Sequence, residues 1–208
     1  MLHTHPADSV IVLDFETTGL SPNQGDRAIE IGAVKLQGGE VVDRFQRLMN
    51  PGFRVSSFIE GYTGITNAML VDAEPCAVVM DAFADFIQGS NLVAHNASFD
   101  QRFLDAELAA VGRDYTGEFA CSLLVSRRLT QEVSSHKLGD LVRYHHIEND
   151  GVFHRALADA EVTASLWLVH LQKLATEHGI QNPDFALMKK IAKTPKAKVA
   201  VMLASINK

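Results

Sequence analysis

The stretch at residues 10–20, VIVLDFETTGL, constrains the fold more than any other part of the chain. Alternate side chains of an extended strand point to opposite faces, so Asp14 and Glu16 project to the same side. The run before them is apolar on both faces, which favours a central strand covered on both sides. The Thr-Thr-Gly turn leaves both acids at the carboxyl end of this strand, where open α/β sheets usually hold their sites. Alone, such a pair of acids is more often a structural contact than a catalytic site.

The composition fits one domain, with at most a short appendage. With 208 residues, 47% of them hydrophobic, the chain can bury a sizeable core. No run approaches the length of a membrane span and the N-terminal residues lack the apolar stretch of a secretory signal, so we expect a cytoplasmic protein. Cys76 and Cys121 have no metal-ligand spacing, which leaves neither a disulfide framework nor a zinc ribbon.

The net charge is distributed unevenly along the chain. It is −6 overall, but after Asp184 there are six lysines and no acidic residue, so residues 1–188 alone carry −12. A body this acidic argues against a broad surface that grips phosphates non-specifically. If the protein handles nucleic acid, we expect it to do so locally and with metal ions.

Hydrophobic periodicity and turn residues predict most of the remaining elements. Strands are expected at residues 27–36, 40–49 and 91–95, and helices at residues 76–88, 118–129, 136–145 and 155–178. Gly38 and Gly39 are a hairpin signal between two of the strands, and residues 53–74 are predicted to be loop with short helical pieces. Three strands followed by alternating strands and helices indicate an α/β fold, a mixed β-sheet with helices packed on its faces.

A further helix is predicted to begin after the AHNAS stretch and to end before Gly112. Ser98 has the side chain of an N-cap residue, and Gln101 three positions later completes a capping box. Asp100 falls in the first turn, where the positive end of the helix dipole stabilises a carboxylate by roughly 0.3 to 1 kcal/mol. That benefit alone would explain Asp100 without any catalytic role.

Three separate segments carry acids that such a fold could bring together. Asp14 and Glu16 end one buried strand. Asp100 opens a helix after another strand, and Asp159 lies in the first turns of the last predicted helix. At about 4 Å and an effective dielectric near 20, each like-charged pair would cost on the order of 4 kcal/mol. Such a cluster has to bind protons or divalent cations, and hard oxygen ligands select Mg²⁺ or Mn²⁺.

His154 lies five residues before Asp159. On a helix that spacing is a net rotation of about 140°, so two helical side chains would diverge. The pair can converge only if His154 lies on the loop before the helix, which the break at Asp150-Gly151 allows. An imidazole placed there beside metal ions could take a proton from water near neutral pH. A surface histidine near a helix start is the plainer alternative.

Together the three segments resemble the exonuclease motifs of the DnaQ-like 3′-to-5′ exonucleases of the histidine subtype, the DEDDh family. FETTGL with Asp14 before it is similar to the first motif, AHNASFD to the second and HRALADAEVTA to the third. The resemblance covers residues 9–174 and implies a ribonuclease H-like mixed β-sheet flanked by helices on both faces. It divides the chain into an exonuclease domain at residues 1–179 and a lysine-rich C-terminal extension at residues 180–208.

The resemblance also implies two divalent cations, Mg²⁺ or Mn²⁺, and a role for each motif residue. The metal ligands would be Asp14, Glu16, Asp100 and Asp159. His154 would be the general base that deprotonates the water attacking the last phosphodiester, with release of a nucleoside 5′-monophosphate. Leu20 would be wedged beside the terminal base. The terminal nucleotide would be bound by Thr17, Thr18, Gly19, Leu20, His95, Asn96 and Phe99.

The partner that the resemblance implies is the 3′ end of a single-stranded nucleic acid. We expect DNA, in proofreading or repair, with RNA 3′-end trimming as the alternative. A non-catalytic binding module is a third hypothesis, against which the five intact motif residues argue. A DNA polymerase is a further implied partner, although nothing in residues 180–208 identifies a polymerase-binding tail. Residues 181–185 loosely resemble a peptide that binds a sliding clamp, and the sequence leaves the oligomeric state open.

Overall fold

The computed structural model describes residues 5–149 and 154–206. The strands are β1 (Ile11–Thr17), β2 (Ala28–Gln37), β3 (Glu40–Asn50), β4 (Glu74–Pro75), β5 (Leu92–Ala94) and β6 (Phe119–Cys121). The helices are α1 (Ser57–Thr63), α2 (Asn67–Val71), α3 (Cys76–Ile87), α4 (Ser98–Ala110), α5 (Ser122–Leu129), α6 (Leu138–Tyr144), α7 (Ala156–His178), α8 (Phe185–Lys193) and α9 (Val199–Ala204). Within these described ranges, no helix combines the length and the apolar content that crossing a membrane requires.

The strands form one mixed sheet in the order β4-β3-β2-β1-β5-β6. The first strand, β1, lies inside this sheet, antiparallel to β2 and parallel to β5, which confirms the predicted central strand. The predicted hairpin joins β2 to β3, and its Gly38 and Gly39 have positive φ values of 59° and 82°, which glycine adopts readily. Because β6 is also parallel to β5, strands β1, β5 and β6 have their carboxyl ends at the same edge.

Helices cover both faces of the sheet. Val10 and Val12 belong to an apolar cluster that includes buried residues of α5, α7, α8 and α9. Ile11 and Leu13 belong to a second cluster, formed with α3 and α4. The alternation predicted for this strand is therefore observed, and the mixed sheet with helices on both faces confirms the predicted fold class.

The predicted capping box at Ser98 is wrong. Helix α4 begins at Ser98 itself, and no side chain caps it. Gln101 donates instead from Nε2 to the Tyr115 hydroxyl, at 3.2 Å. A backbone hydrogen bond of 2.9 Å from Phe99 N–H to the Asn96 carbonyl closes a turn before the helix. Asn96 makes this turn at a φ of 74°, a conformation that asparagine tolerates better than most residues.

Two predicted helices are shorter than expected. The helix prediction for residues 118–129 is wrong at its start, because Phe119–Cys121 forms strand β6 and the helix begins at Ser122. Its partner strand β5 is distant in sequence, so local periodicity could not reveal the pairing. Helix α6 covers only Leu138–Tyr144, which leaves His136 and Lys137 in the preceding loop.

The C-terminal segment packs on the same core as the central strand. Phe185 is 1% exposed, and its ring centroid lies 6.2 Å from that of Trp167. Met188 and Ile191 are buried in the cluster that contains the valines of the central strand. A clamp-binding peptide must expose its aromatic residue, so residues 181–185 cannot act as predicted in this fold. The domain boundary after residue 179 stays a prediction.

Backbone hydrogen bonds connect this C-terminal segment to the first described residues. Phe185 N–H donates to the His5 carbonyl at 2.8 Å, and Ala7 N–H donates to the Pro183 carbonyl at 3.0 Å. The indole Nε1–H of Trp167 donates to the Ala7 carbonyl at 2.7 Å. The buried indole therefore has a partner for its one polar group.

Two residues of β2 hold the start of α7 against the sheet. Glu30 is fully buried and accepts hydrogen bonds from Arg155 Nε (3.1 Å), Arg155 Nη2 (2.8 Å) and the Ala156 N–H (3.0 Å). This bidentate pairing compensates the buried charge. A Cβ atom at Gly32 would overlap the backbone of Ala156 and Leu157. The helix therefore lies in direct backbone contact with β2, and this contact determines the position of its first turn.

Replacing Gly32 with alanine is expected to destabilise the protein by about 1–3 kcal/mol, because the new methyl group overlaps backbone that cannot rotate away. The matched control is Gly61→Ala in α1, where no heavy atom lies within 4 Å and alanine is the better helix former by about 1 kcal/mol. Urea unfolding of both variants measures the difference. Equal stabilities would contradict the close approach of α7 to β2.

Candidate metal and nucleotide site

The four predicted acids meet at the carboxyl end of β1. Asp14 and Glu16 lie on one face of this strand. Asp100 Oδ1 accepts the Phe15 N–H at 3.2 Å, which ties the first turn of α4 to the strand. Asp159 lies in the first turn of α7, and its charge acts on Asp14 together with those of Asp100 and Glu16. The structure thus brings together acids from three distant segments.

His154 precedes helix α7, as the spacing argument required. Its backbone N–H donates to Asp159 Oδ2 at 2.9 Å, and its φ is 63°, so the chain turns sharply here. Its imidazole is exposed, while the carboxylates of Glu16 and Asp159 are buried. One ligand atom from each of these three residues lies within 4.8 Å of the others. His154 and Asp159 therefore converge on one site.

Burial raises the pKa values of all four acids, and the charges of neighbouring acids raise three of them further. The pKa of Asp14 is well above its usual range because of burial and the charges of Asp100, Glu16 and Asp159. Burial raises the pKa of Glu16 to about 8, with a further contribution from Asp159. Burial also raises the pKa of Asp100 to about 8, although the Phe15 N–H opposes this, and it raises that of Asp159. Without a cation the site holds protons at neutral pH.

The donor set fits divalent cations. Buried carboxylate oxygens are the hard ligands that Mg²⁺ and Mn²⁺ prefer. Protons that are held because the carboxylates are buried and lie close together can be replaced by a cation, which would neutralise the same negative charges. The cluster of Glu16, His154 and Asp159 has the spacing of a metal site. The arrangement therefore supports an acidic metal centre at this edge of the sheet.

Mn²⁺ is expected to raise the melting temperature more at about pH 8 than at about pH 6. Carboxylates with raised pKa values bind protons more tightly in the folded state, so metal-free stability falls as the pH rises from about 4 to about 8. The cation competes with these protons and binds better when they leave. At 100 times its dissociation constant, a ligand stabilises by about 2.7 kcal/mol. Circular dichroism melts with Mn²⁺ or EDTA measure this, and a gain independent of pH would contradict it.

A cavity of about 650 Å³ opens beside the acids. Residues of β1 and the turn after it form one wall, residues of α1 another, and His154 and Asp159 a third. Leu20 stands at its rim with 76% of its surface exposed. The predicted nucleotide-binding residues that line this cavity are Thr17, Thr18, Gly19, Leu20 and Phe99. Their predicted role in binding is compatible with this placement and stays a prediction.

Asp26 fixes the turn after β1, a role that was not predicted from the sequence. Its Oδ2 accepts the Ser21 N–H at 2.9 Å, and its carboxylate packs so close to Gly19 that a side chain there would overlap it. Thr17 Oγ1 donates to the Gly19 carbonyl at 2.6 Å. The Thr-Thr-Gly motif is therefore a rigid turn, and it holds Leu20 out toward the cavity.

His95 and Asn96 do not line this cavity, contrary to the prediction. They line a separate depression next to α5 and the loop before α6. The imidazole of His95 contacts Ser122 Oγ (2.9 Å) and the His136 carbonyl (3.0 Å), so both of its nitrogens have protein partners. The AHNASFD motif makes a turn at Asn96, which separates its first residues from Phe99.

Two exposed aromatic residues of α1 also line the cavity and were not predicted. Phe58 and Tyr62 are 73% and 52% exposed, and their rings stack at 5.9 Å with an interplanar angle of 10°. The ring centroid of Tyr62 lies 4.1 Å from that of His154. The sequence did contain a signal for this pair, because Phe58 and Tyr62 are four positions apart in a segment predicted to be partly helical and would therefore share one helix face.

Comparison with known families identifies the chain's relatives. The family model described as exonuclease (RNase_T) matches residues 11–167. A DNA polymerase III of the PolC type from Caldanaerobacter subterraneus subsp. tengcongensis is 39% identical over 178 residues, which cover 83% of this chain and 12% of that protein. The corresponding protein of Staphylococcus aureus is 39% identical over 173 residues, with the same coverage. The chain therefore spans only about an eighth of the length of the curated relatives it matches.

Solved structures show the same fold. Exonuclease X in complex with 5′ overhanging duplex DNA is 26% identical, with a TM-score of 0.67, and the match covers 88% of this chain and 99% of the other. The nuclease domain of 3′hExo, a DEDDh family member bound to rAMP, is 21% identical, with a TM-score of 0.67 and coverages of 88% and 97%. The ribonuclease H-like fold expected from the motifs is thereby confirmed.

Proposed function

Because this chain belongs to the exonuclease family, we propose that it is a 3′-to-5′ exonuclease of the DEDDh type and that its substrate is the single-stranded or frayed 3′ end of DNA. The products would be nucleoside 5′-monophosphates. The observation that carries the proposal is the meeting of four acids and His154 beside one cavity with an exposed apolar wall. An acidic metal site beside an open cavity with an apolar wall is suited to a reaction at the terminal nucleotide of a flexible strand.

The four acids would bind the metal ions, and His154 would act as the general base. Asp14, Glu16, Asp100 and Asp159 would hold two divalent cations, Mg²⁺ or Mn²⁺. When bound, such ions stabilise the charge on the attacking and leaving oxygens of a phosphodiester. His154 would accept the proton of the attacking water, and its position on the rim leaves the imidazole free to release that proton to solvent.

The walls of the cavity would hold the terminal nucleotide without reading its base. Leu20 on one side and the stacked pair of Phe58 and Tyr62 on the other offer apolar and aromatic surfaces. Stacking on such surfaces is worth about 1–3 kcal/mol per base and tolerates every base. A paired 3′ end would have to open before it could enter, which would favour frayed or mismatched ends.

The preference for DNA is supported by the relatives. The polymerases that are 39% identical are named as DNA polymerases, and Exonuclease X was solved with duplex DNA. Because the chain matches a small part of those polymerases, an association with a DNA polymerase in proofreading is a proposal that rests on their names alone. A role in DNA replication like that of the named polymerases is the basis on which we propose a cytoplasmic location.

A side-by-side digestion tests the proposed function. Labelled single-stranded DNA, duplex DNA with a mismatched 3′ end and single-stranded RNA are incubated with the protein and Mg²⁺, with EDTA as the control. We expect fastest release of 5′-monophosphates from the single-stranded and mismatched DNA. Faster release from RNA would favour RNA 3′-end trimming, and binding without release from any substrate would leave only the non-catalytic module.

A further inference from the structure

The depression that holds His95 and Asn96 is a second concave surface next to the catalytic cavity. It measures about 590 Å³, and its lining includes His95, Asn96, Arg127, Ser134, His136 and Lys137. We call it the basic depression. It lies at the carboxyl ends of β5 and β6, the edge where β1 also presents its acids. The backbone hydrogen bond from Phe99 to Asn96 connects the two surfaces, since Phe99 lines the catalytic cavity.

His95 is a partly buried residue in the lining of the basic depression. A carbonyl oxygen can only accept, so Nε2 carries the proton that is donated to the His136 carbonyl at 3.0 Å. Nδ1 then accepts from the Ser122 hydroxyl at 2.9 Å. Burial lowers the pKa of His95 to about 4, which keeps the ring neutral and these bonds intact at neutral pH. The imidazole therefore attaches the loop before α6 to the end of β5.

Two positively charged side chains of the basic depression are available to bind a ligand. Arg127 and Lys137 are both exposed, and within the described ranges neither forms an ion pair, whereas Arg27 and Arg155 are paired with buried glutamates. Asp140, three residues after Lys137, lies close enough for the charge of Lys137 to act on it, but it accepts its hydrogen bonds from Ser135 and Arg143.

A guanidinium and an ammonium group that form no ion pair among the described residues suit a phosphate backbone, together with the Ser134 hydroxyl in the same concave surface. Their position on an otherwise acidic body also makes them unusual, since residues 1–188 carry a net charge of −12. A strand whose last nucleotide lies in the catalytic cavity can continue along this edge of the sheet, because Phe99 of the cavity and Asn96 of the depression are hydrogen-bonded neighbours. The basic depression is the adjoining positive surface along this edge.

We propose that the basic depression binds phosphates of the single strand on the 5′ side of the nucleotide being removed. This inference rests on the proposed function, because it takes the catalytic cavity as the site of the 3′ end. The depression would make activity depend on strand length, since we expect a dinucleotide bound in the cavity to contact fewer of these charged side chains than a longer strand does. Direct contacts to phosphates carry no base information, which suits an enzyme that trims any sequence.

The double variant Arg127→Gln/Lys137→Gln tests the inference in the 208-residue chain. We expect its affinity for a labelled 20-nucleotide single strand, measured by fluorescence anisotropy in EDTA, to fall several-fold to about tenfold. Each phosphate contact on a single strand contributes about 0.7 to the salt slope, so the slope should decrease by about 1.4. In Mg²⁺, the ratio of variant KM to unmodified KM should rise from a dinucleotide to the 20-mer.

The matched control is the double variant Lys190→Gln/Lys193→Gln. These lysines are exposed and lie with Glu118 near the amino end of β6, at the opposite edge of the sheet. The control loses the same charge but should keep the affinity and the salt slope. Equal losses in both double variants, or a KM ratio independent of length, would overturn the inference. Failure of the unmodified protein to hydrolyse any strand would refute the proposed function instead, while the anisotropy data would still decide the inference.

Discussion

Asp14→Asn is expected to lower the rate of nucleotide release by at least about 10³-fold, a loss of roughly 4 kcal/mol of transition-state stabilisation. Asp14 lies among the other three acids, and its pKa is raised by each of their charges. The neutral amide would keep the shape of the side chain but lose the charge that binds a cation. Initial rates on single-stranded DNA with saturating Mg²⁺ measure the effect, and hydrolysis that survives in EDTA would contradict the metal mechanism.

The same substitution is expected to stabilise the metal-free protein. Asparagine removes a buried carboxylate whose ionisation is disfavoured by burial and by three neighbouring acids. For a chain of this size, each kcal/mol gained raises the melting temperature by about 2–4 °C. The control is Asp43→Asn on the exposed strand β3, which should change neither rate nor stability. An inactive and destabilised Asp14→Asn variant would indicate a structural role.

His154→Ala is expected to lower kcat by about 10²- to 10⁴-fold if the imidazole is the general base. The contribution of Mn²⁺ to the melting temperature should remain, because the four acids are still present. If His154 is a metal ligand instead, as its distance to Glu16 and Asp159 would permit, the Mn²⁺ effect should shrink with the rate. Rates and melts measured on one preparation separate the two roles.

The control for this experiment is His146→Asn, an exposed histidine outside the cavity whose positive φ of 53° suits asparagine. It should keep the unmodified rate. A His154→Ala variant with a near-normal rate would make His154 an ordinary surface histidine.

The residues that could be predicted from sequence are those whose local geometry decides their position. The two-residue period of β1 put Asp14 and Glu16 on one face, and the helical rotation between His154 and Asp159 required the histidine to precede the helix. Both expectations agree with the structure. The position of Asp100 could be predicted because it lies in the first turn of the helix that follows β5.

The features that were predicted wrongly or missed depend on tertiary contacts rather than on local sequence patterns. His95 is four residues before Phe99, yet the turn at Asn96 directs it to the other side of α4's start, where Ser122 holds it. Strand β6 forms because β5 offers it a free edge, which no local pattern announces. The pairing of Glu30 with Arg155 joins residues that are far apart in the chain.

The fluorescence of the buried Trp167 can report on the packing around this side chain. It is the only tryptophan in the sequence, and it lies against Phe185 and hydrogen-bonds to Ala7, on the side of the sheet packed by α8. Its emission should therefore report whether α8 is docked, independently of what occupies the cavity beside the four acids. In a denaturant titration, loss of nuclease rate before the red shift would mean that the site fails first. The reverse order would mean that undocking of α8 precedes inactivation.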